Sequence, residues 1–583
     1  MTKSQSPVQK HIQRIQQLAD ERQRILSMPA DKAMVAILDH PQPAALVHSF
    51  PEEDLFFLVH DIGPDDALPL ISLASNRQWE YFWDIQGWDR DQMDYARVTT
   101  WLQLLLRADP NRLAKWCFDE KLELLELYLF RNIELRVREM DESPSDLGDG
   151  YFTDDDTYYV RLVDYPTTTP EEEAFKARRD AMLKQLLDRL SLFDHARYQG
   201  LIMEAIHVLP AETEEEQFRL RNGRLAEKGF LPFYEAVGVY QPLQPGDLSA
   251  KEKKIIGTPS AGDGTISTPQ LAASFLDEDN LFVRALKSIH ETKVIEQLQA
   301  ELAGLCNKVI SADREIILGR SQLQAVVTKT SAYLSIGLEQ MTRSDKSHRE
   351  AQASQLLQHY LLADIFRVGV AGSLRLHWEA MRWRKKSWFR SQNLPLTFWD
   401  EAWLGLLGGV LIDRPQYYDP STAGTNYRDF RSSQEIQITR KGLEQLMTAD
   451  QVLGDMQISI ASLSDTRFLT YKNLFLTLWS RAWLNLPPID QQTTTIAVPI
   501  SDFKRFYTAL WADQAGVRVI DDSKKNDFLQ WVARASGQSL EVLSQRLGMV
   551  FEALFSEIER ELGPVKAGNL EPRYVQLFLL KRS

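Results

Sequence analysis

Ser49-Phe50-Pro51-Glu52-Glu53-Asp54, Gly63-Pro64-Asp65-Asp66, Ser75-Asn76-Arg77-Gln78 and Gly87-Trp88-Asp89-Arg90-Asp91 cut residues 41–91 into near-equal pieces. Pro51 and Pro64 stand thirteen residues apart, and Arg77 and Arg90 keep the same count. Each start sets a capping or chain-breaking residue before acidic or polar residues and then an apolar run, the way a short helix begins. Short helices cannot bury their own faces, so a series of them has to stack on its neighbours. The fold expected is mainly α: a superhelical array of stacked short helices at the N-terminal end, a small β-hairpin insertion and a larger α-helical C-terminal half.

Working outward, 583 residues exceed one hydrophobic core and predict several domains. Four segments follow: 1–140 as helical repeats, 141–240 as a β-hairpin with capped helices, 241–270 as a linker or long loop, and 271–583 as a helical domain. Hydrophobic content of 44% and charged content of 25% are those of a globular chain. The net charge of −14 disfavours indiscriminate binding to nucleic acid or anionic lipid without excluding a local basic site. Cys117 and Cys306 belong to no C-x-x-C pair, which argues against a disulfide scaffold and a thiolate zinc site. No secretory segment opens the sequence. The most apolar stretch, Leu394–Ile412, carries Asp400 and Glu401, and the eleven largely apolar residues that remain from Ala402 are too few to span a bilayer. These readings place the protein in a reducing cytoplasm.

An amphipathic helix is expected over residues 8–27. Asp91 to Arg107 continues the helical pattern, and Asp109-Pro110-Asn111 restarts it. Tyr151-Phe152-Thr153, the turn Asp154-Asp155-Asp156 and Thr157 to Val163 read as a β-hairpin, from aromatic and β-branched residues on both sides of a polar turn. Thr169-Pro170-Glu171-Glu172 supplies a cap, a proline at the first helical position and a capping-box acid. A second box, Thr213 with Glu216, is expected to open a helix over 214–226, closed by Lys228-Gly229.

Few residues suggest chemistry. The acidic stretch Asp146–Asp156 fails the calcium-loop template, since Gly148 and Gly150 fall where ligands are required. The histidines show no H-x-x-x-H or H-E-x-x-H spacing, and no phosphate-binding glycine loop or nucleophile elbow is present. No catalytic residue, metal or cofactor is expected. The sharpest anomaly is Arg375, Arg382, Arg384, Lys385, Lys386 and Arg390 against the single acid Glu379, interleaved with Trp378, Trp383, Trp388 and Phe389. Cations neutralise phosphates or carboxylates and aromatic faces stack on bases, so the segment is the candidate site for an anionic partner. The plainer alternative is a helix with inward tryptophans and a basic face paired to acidic neighbours. A second cluster, Arg221, Arg224 and Glu227, shares one helix face before the Gly229 turn; a structural network is favoured over a phosphate clamp.

The run Arg219-Leu220-Arg221-Asn222-Gly223-Arg224-Leu225-Ala226-Glu227-Lys228-Gly229-Phe230 resembles a bacterial family known only as a conserved protein of unknown function. Gly150-Tyr151-Phe152-Thr153 and Tyr333-Leu334-Ser335-Ile336-Gly337-Leu338-Glu339 share the resemblance, which spans most of the chain and implies no ligand or catalytic residue. The 41–91 starts are also similar to the cytosolic helical superhelix of a bacterial magnesium-transporter family, a resemblance of fold that does not imply transport. The favoured expectation is a cytoplasmic protein–protein interaction or scaffold protein without catalytic activity. An anion- or nucleic-acid-binding protein using residues 375–390 is the first alternative, and an enzyme without a recognisable motif the second.

Overall fold

Ser75 starts its helix as its sequence predicts: the hydroxyl accepts the Gln78 N–H and the Gln78 side chain returns to the Ser75 backbone, closing a capping box. A computed structural model describes residues 7–139, 142–249, 269–276, 279–317, 319–342, 348–421, 424–458, 460, 468–487, 495–514 and 517–581. The expected linker at 241–270 lies mostly outside the described residues. Among the described residues the chain is mainly α, with 27 α-helices and five two-stranded sheets.

The described residues fall into two compact units. One draws on Met1–Gln241, Lys251–Ser331 and Ser344–Ile365; the other draws on Pro242–Ala250, Ala332–Arg343 and Phe366–Ser583. In the first, Glu52–Ile62, Leu68–Leu73 and Asn76–Gln86 are the short helices anticipated from the first three starts, and Pro43–Ser49 precedes them. Each packs against the helix two places along the chain. Their apolar faces meet in a core that includes Phe56, Phe82 and Trp79, with Trp79 edge-on to Trp116 at 5.8 Å. Cys117 and Cys306 are both buried, and burial pushes both thiols up to about 12.

The fourth start is different. Trp88–Asp89 and Gln92–Met93 form a tight antiparallel pair with Arg90 at φ +59°, and the next helix begins only at Tyr95, capped by Asp94. Trp88 and Met93 are buried, which favours closing the turn over winding it into a helix. The strand Tyr158–Leu162 pairs mainly with Ile133–Val137, an antiparallel ladder in which Leu135 faces Val160. Phe152, from the segment expected to be its partner, adds a single bridge on the other side of Val160.

Thr169 caps Pro170–Phe193 with the expected box. The second box does not form, because Pro210 opens its helix a turn earlier and places Thr213 inside it. That helix runs Pro210–Glu227 and closes as expected, with Gly229 at φ +88° and the Phe230 N–H on the Leu225 carbonyl. In the second unit the long helix ending at Lys386 is followed by Trp388–Ser391, then Asp400–Val410, Ser433–Asp455 and Leu540–Leu562. No helix among the described residues is long and apolar enough to cross a membrane.

Candidate functional site in the second unit

A helix that ends in Arg382-Trp383-Arg384-Lys385-Lys386 presents successive side chains about 100° apart, so its cations cannot share one face. The structure follows that geometry. Arg382, Arg384, Lys385, Lys386 and Arg390 are exposed, whereas Trp383 and Phe389 are buried and Trp388 is half-buried. Trp383 and Phe389 stack at 6.3 Å and join Phe398 and Trp399 in an aromatic core. Trp383 and Trp388 therefore pack inward, as the plainer alternative held, whereas Trp378 is 44% exposed, and the basic face is not paired to acidic neighbours. Among the described residues none of the five outward cations is in an ion pair. Arg375, half-buried further up the helix, donates to the Ala371 carbonyl at 3.2 Å and to Gln244 Oε1 at 3.4 Å.

One residue far along the chain fixes this arrangement. The Asp450 carboxylate accepts the Trp383 indole N–H at 3.0 Å and the backbone N–H groups of Trp388 and Phe389 at 3.2 and 2.8 Å. It thereby ends one helix and starts the next, together with Ser387, whose hydroxyl accepts the Arg390 N–H. Burial pushes the Asp450 carboxyl above its ordinary value, and the hydrogen bonds from Phe389, Trp383 and Trp388 pull against that shift. The Trp388 indole N–H donates to the Ile458 carbonyl at 3.1 Å.

The turn between the two helices divides the cations between two depressions. Arg382 and Lys386 look into a cleft of about 1000 Å3, where Lys441 and Arg546 join them from other helices. Its carboxylates are Glu444, Asp455 and Asp450; the last faces inward and is occupied, and Asp455 accepts from the Gln538 amide at 2.8 Å. Gln445, Gln451 and Gln545 supply further amides, and Met447 an apolar surface. Met549 is 70% exposed beside Lys441, whose ammonium lies 3.7 Å from its sulfur. Arg384, Lys385 and Arg390 line a second depression of about 620 Å3.

The other sequence-derived cluster separates. Arg224 forms a two-point pair with Asp84, both contacts at 2.8 Å, and Arg221 donates to the Asp84 carbonyl at 2.6 Å. Glu227 points to solvent. Gly229 lies against the backbone of Gly304. Lys228 is the residue that sequence reading passed over here: it pairs with Glu52 and Glu53, and its carbonyl accepts from Asn307. This cluster ties helices together, the structural role favoured from sequence, with the Arg221 guanidinium lowered by burial to about 10.

Sequence reading also missed Asp450, Lys441 and Arg546. A signal for Asp450 existed, since it falls in phase with Leu443, Leu446 and Leu453 on the buried face of its helix. An acid in that phase has to be neutral, paired or hydrogen-bonded. Nothing local marks Lys441 or Arg546.

No curated protein and no solved structure matches the chain. A family model described as "Family of unknown function (DUF6178)" matches residues 9–581, and the chain belongs to that family.

Proposed function

We propose that the protein is a binding protein without catalytic activity, and that an acidic segment of a protein partner lies in the cleft between Arg382, Lys386, Lys441 and Arg546. The observation that carries this reading is the lack of ion-pair partners for these four exposed cations, gathered round one cleft in a chain of net charge −14. Unpaired cations at a rim attract and orient an oppositely charged partner at modest desolvation cost. The glutamine amides suit a peptide main chain, and Met447 and Met549 offer adaptable apolar contact. At this cleft a protein partner is favoured over nucleic acid because Trp383 has no free face for a base and the indole N–H groups of Trp383 and Trp388 are taken, while Trp378, 44% exposed, does not line it. A scaffold role for the short helices of the first unit, and a cytoplasmic location, belong to the same proposal.

The test is capture from native extract at physiological salt, with and without nuclease, comparing the wild-type chain with Arg382→Glu/Lys386→Glu/Lys441→Glu. Protein captured in both nuclease conditions, cross-linked to the cleft and lost with the triple variant, supports the reading. Capture that nuclease abolishes moves the assignment to nucleic acid. Capture that ignores the triple variant overturns it.

A further inference from the structure

The second depression differs from the cleft in chemistry as well as place. It is lined by three cations, Arg384, Lys385 and Arg390, and by no carboxylate. Met381, Arg384 and Lys385 follow an i, i+3, i+4 spacing and face away from the Arg382–Lys386 side of the same helix. Arg390 enters from the short helix that Ser387 caps and Asp450 anchors through Phe389. The chain then reverses at Asn393, at φ +54°, with the Asn393 N–H on the Arg390 carbonyl at 3.0 Å and the Leu394 N–H on the Phe389 carbonyl at 3.3 Å. This reversal sets Leu394 and Leu396 into the wall of the depression. The cations therefore stand on a backbone whose turns are each hydrogen-bonded.

We propose that this depression binds the phosphoryl group of a small phosphate monoester. Two guanidinium forks and one ammonium offer more donors and charge than a single carboxylate can use, and they match a tetrahedral dianion that accepts bidentate pairs. The carboxyl end of the long helix opposes an anion with the equivalent of roughly half a charge, which three cations outweigh. The volume of about 620 Å3 lies inside the range of small-molecule sites and exceeds what a bare phosphate fills. The remainder of the ester has Met381, Leu394 and Leu396 to lie against. The site stands apart from the cleft proposed for the protein partner and shares none of its lining residues.

Calorimetric titration of the full chain at low salt with phenyl phosphate, inorganic phosphate and benzoate tests the assignment. Phenyl phosphate is expected to bind, with inorganic phosphate and benzoate each weaker by roughly tenfold. Arg384→Gln/Arg390→Gln is expected to lose at least about tenfold in phenyl phosphate affinity, and Arg382→Gln/Lys386→Gln to retain it. All four positions are exposed, and circular dichroism checks that each variant keeps its helices. Absence of binding at about 10 mM, equal binding of benzoate, or equal loss in both double variants overturns the proposal. Co-sedimentation of the wild type, and not of Arg384→Gln/Arg390→Gln, with phosphatidic-acid vesicles would replace the free ester by a lipid headgroup. Because the two double variants touch different depressions, failure here leaves the protein-partner reading standing, and the converse holds.

Discussion

Asp450 holds Trp383 by its indole N–H at 3.0 Å, and with the same carboxylate takes the backbone N–H groups that begin the next helix at Trp388 and Phe389. One buried acid thus fixes both the inward tryptophan and the turn from which the outward cations diverge. Asp450→Ala leaves three donors without an acceptor in the interior, at about 1–3 kcal/mol each. We expect a loss of about 3 kcal/mol or more in urea unfolding, with a smaller loss for Asp450→Asn, which keeps one carbonyl acceptor. Both variants should also weaken capture of the partner although no cation is altered. Unchanged stability in Asp450→Ala would show that the turn is held by other contacts.

Arg224 and Asp84 form a two-point, long-range ion pair in the first unit, with two contacts at 2.8 Å and an Asp84 side chain only 3% exposed. Removing one partner leaves a buried carboxylate uncompensated, so Arg224→Ala should cost about 3 kcal/mol. Arg224→Lys should fall between, because an ammonium cannot reproduce the fork. Glu227→Ala, on the same helix but facing solvent, should stay within about 0.5 kcal/mol. Chemical unfolding of the three variants separates these cases, and an equal effect of Arg224→Ala and Glu227→Ala would refute the assignment.

What could be read from the sequence was local. The Ser75–Gln78 and Thr169–Glu172 boxes lie within one helical turn, so their residues carry their own geometry. Gly87 to Asp91 looked like a fourth start because its polar residues suit a helix cap as well as a turn. The choice was made at a distance, by burial of Trp88 and Met93 and by the Glu214 carboxylate, which accepts the Met93 N–H at 2.7 Å. Likewise the run of cations at 375–390 was visible as a charge anomaly. Its division between two depressions depends on Asp450 and Lys441, some sixty residues on, and on Arg546 in a later helix.

Gly229 is required twice over. Its φ of +88° suits glycine, and a Cβ there would stand 2.7 Å from the Gly304 carbonyl oxygen and 2.8 Å from the Gly304 Cα. Left-handed strain of roughly 1–2 kcal/mol adds to overpacking of about 1–3 kcal/mol. Gly229→Ala is therefore expected to destabilise by about 3 kcal/mol, read as a fall in Tm. Gly223→Ala on the preceding helix meets no atom within 4 Å and should be neutral or slightly stabilising. A fall in Tm of the same size in both variants would contradict this account.

Asp54 and His60 sit on one helix and bias stability in opposite directions as pH changes. Burial pushes the Asp54 carboxyl up to about 7, against the hydrogen bonds it accepts from the Gln270 and Leu271 N–H groups; Glu53 adds to the rise and Arg22 opposes it. Between its ordinary value of 3.8 and about 7 the folded chain holds a proton that the unfolded chain has released. Its contribution is complete at the acid end and is lost as pH rises through about 7. Burial lowers His60 from 6.5 to about 4, and the Gln86 amide donates to its neutral ring at 2.9 Å. Here the contribution is complete above 6.5 and is lost as pH falls through about 4. The two slopes offset each other in the native chain, so the variants expose them. Measured as a difference from wild type in urea unfolding across that window, the stability of Asp54→Asn should rise with pH and that of His60→Gln should fall. Parallel slopes in the two variants would show that neither group titrates as its surroundings dictate.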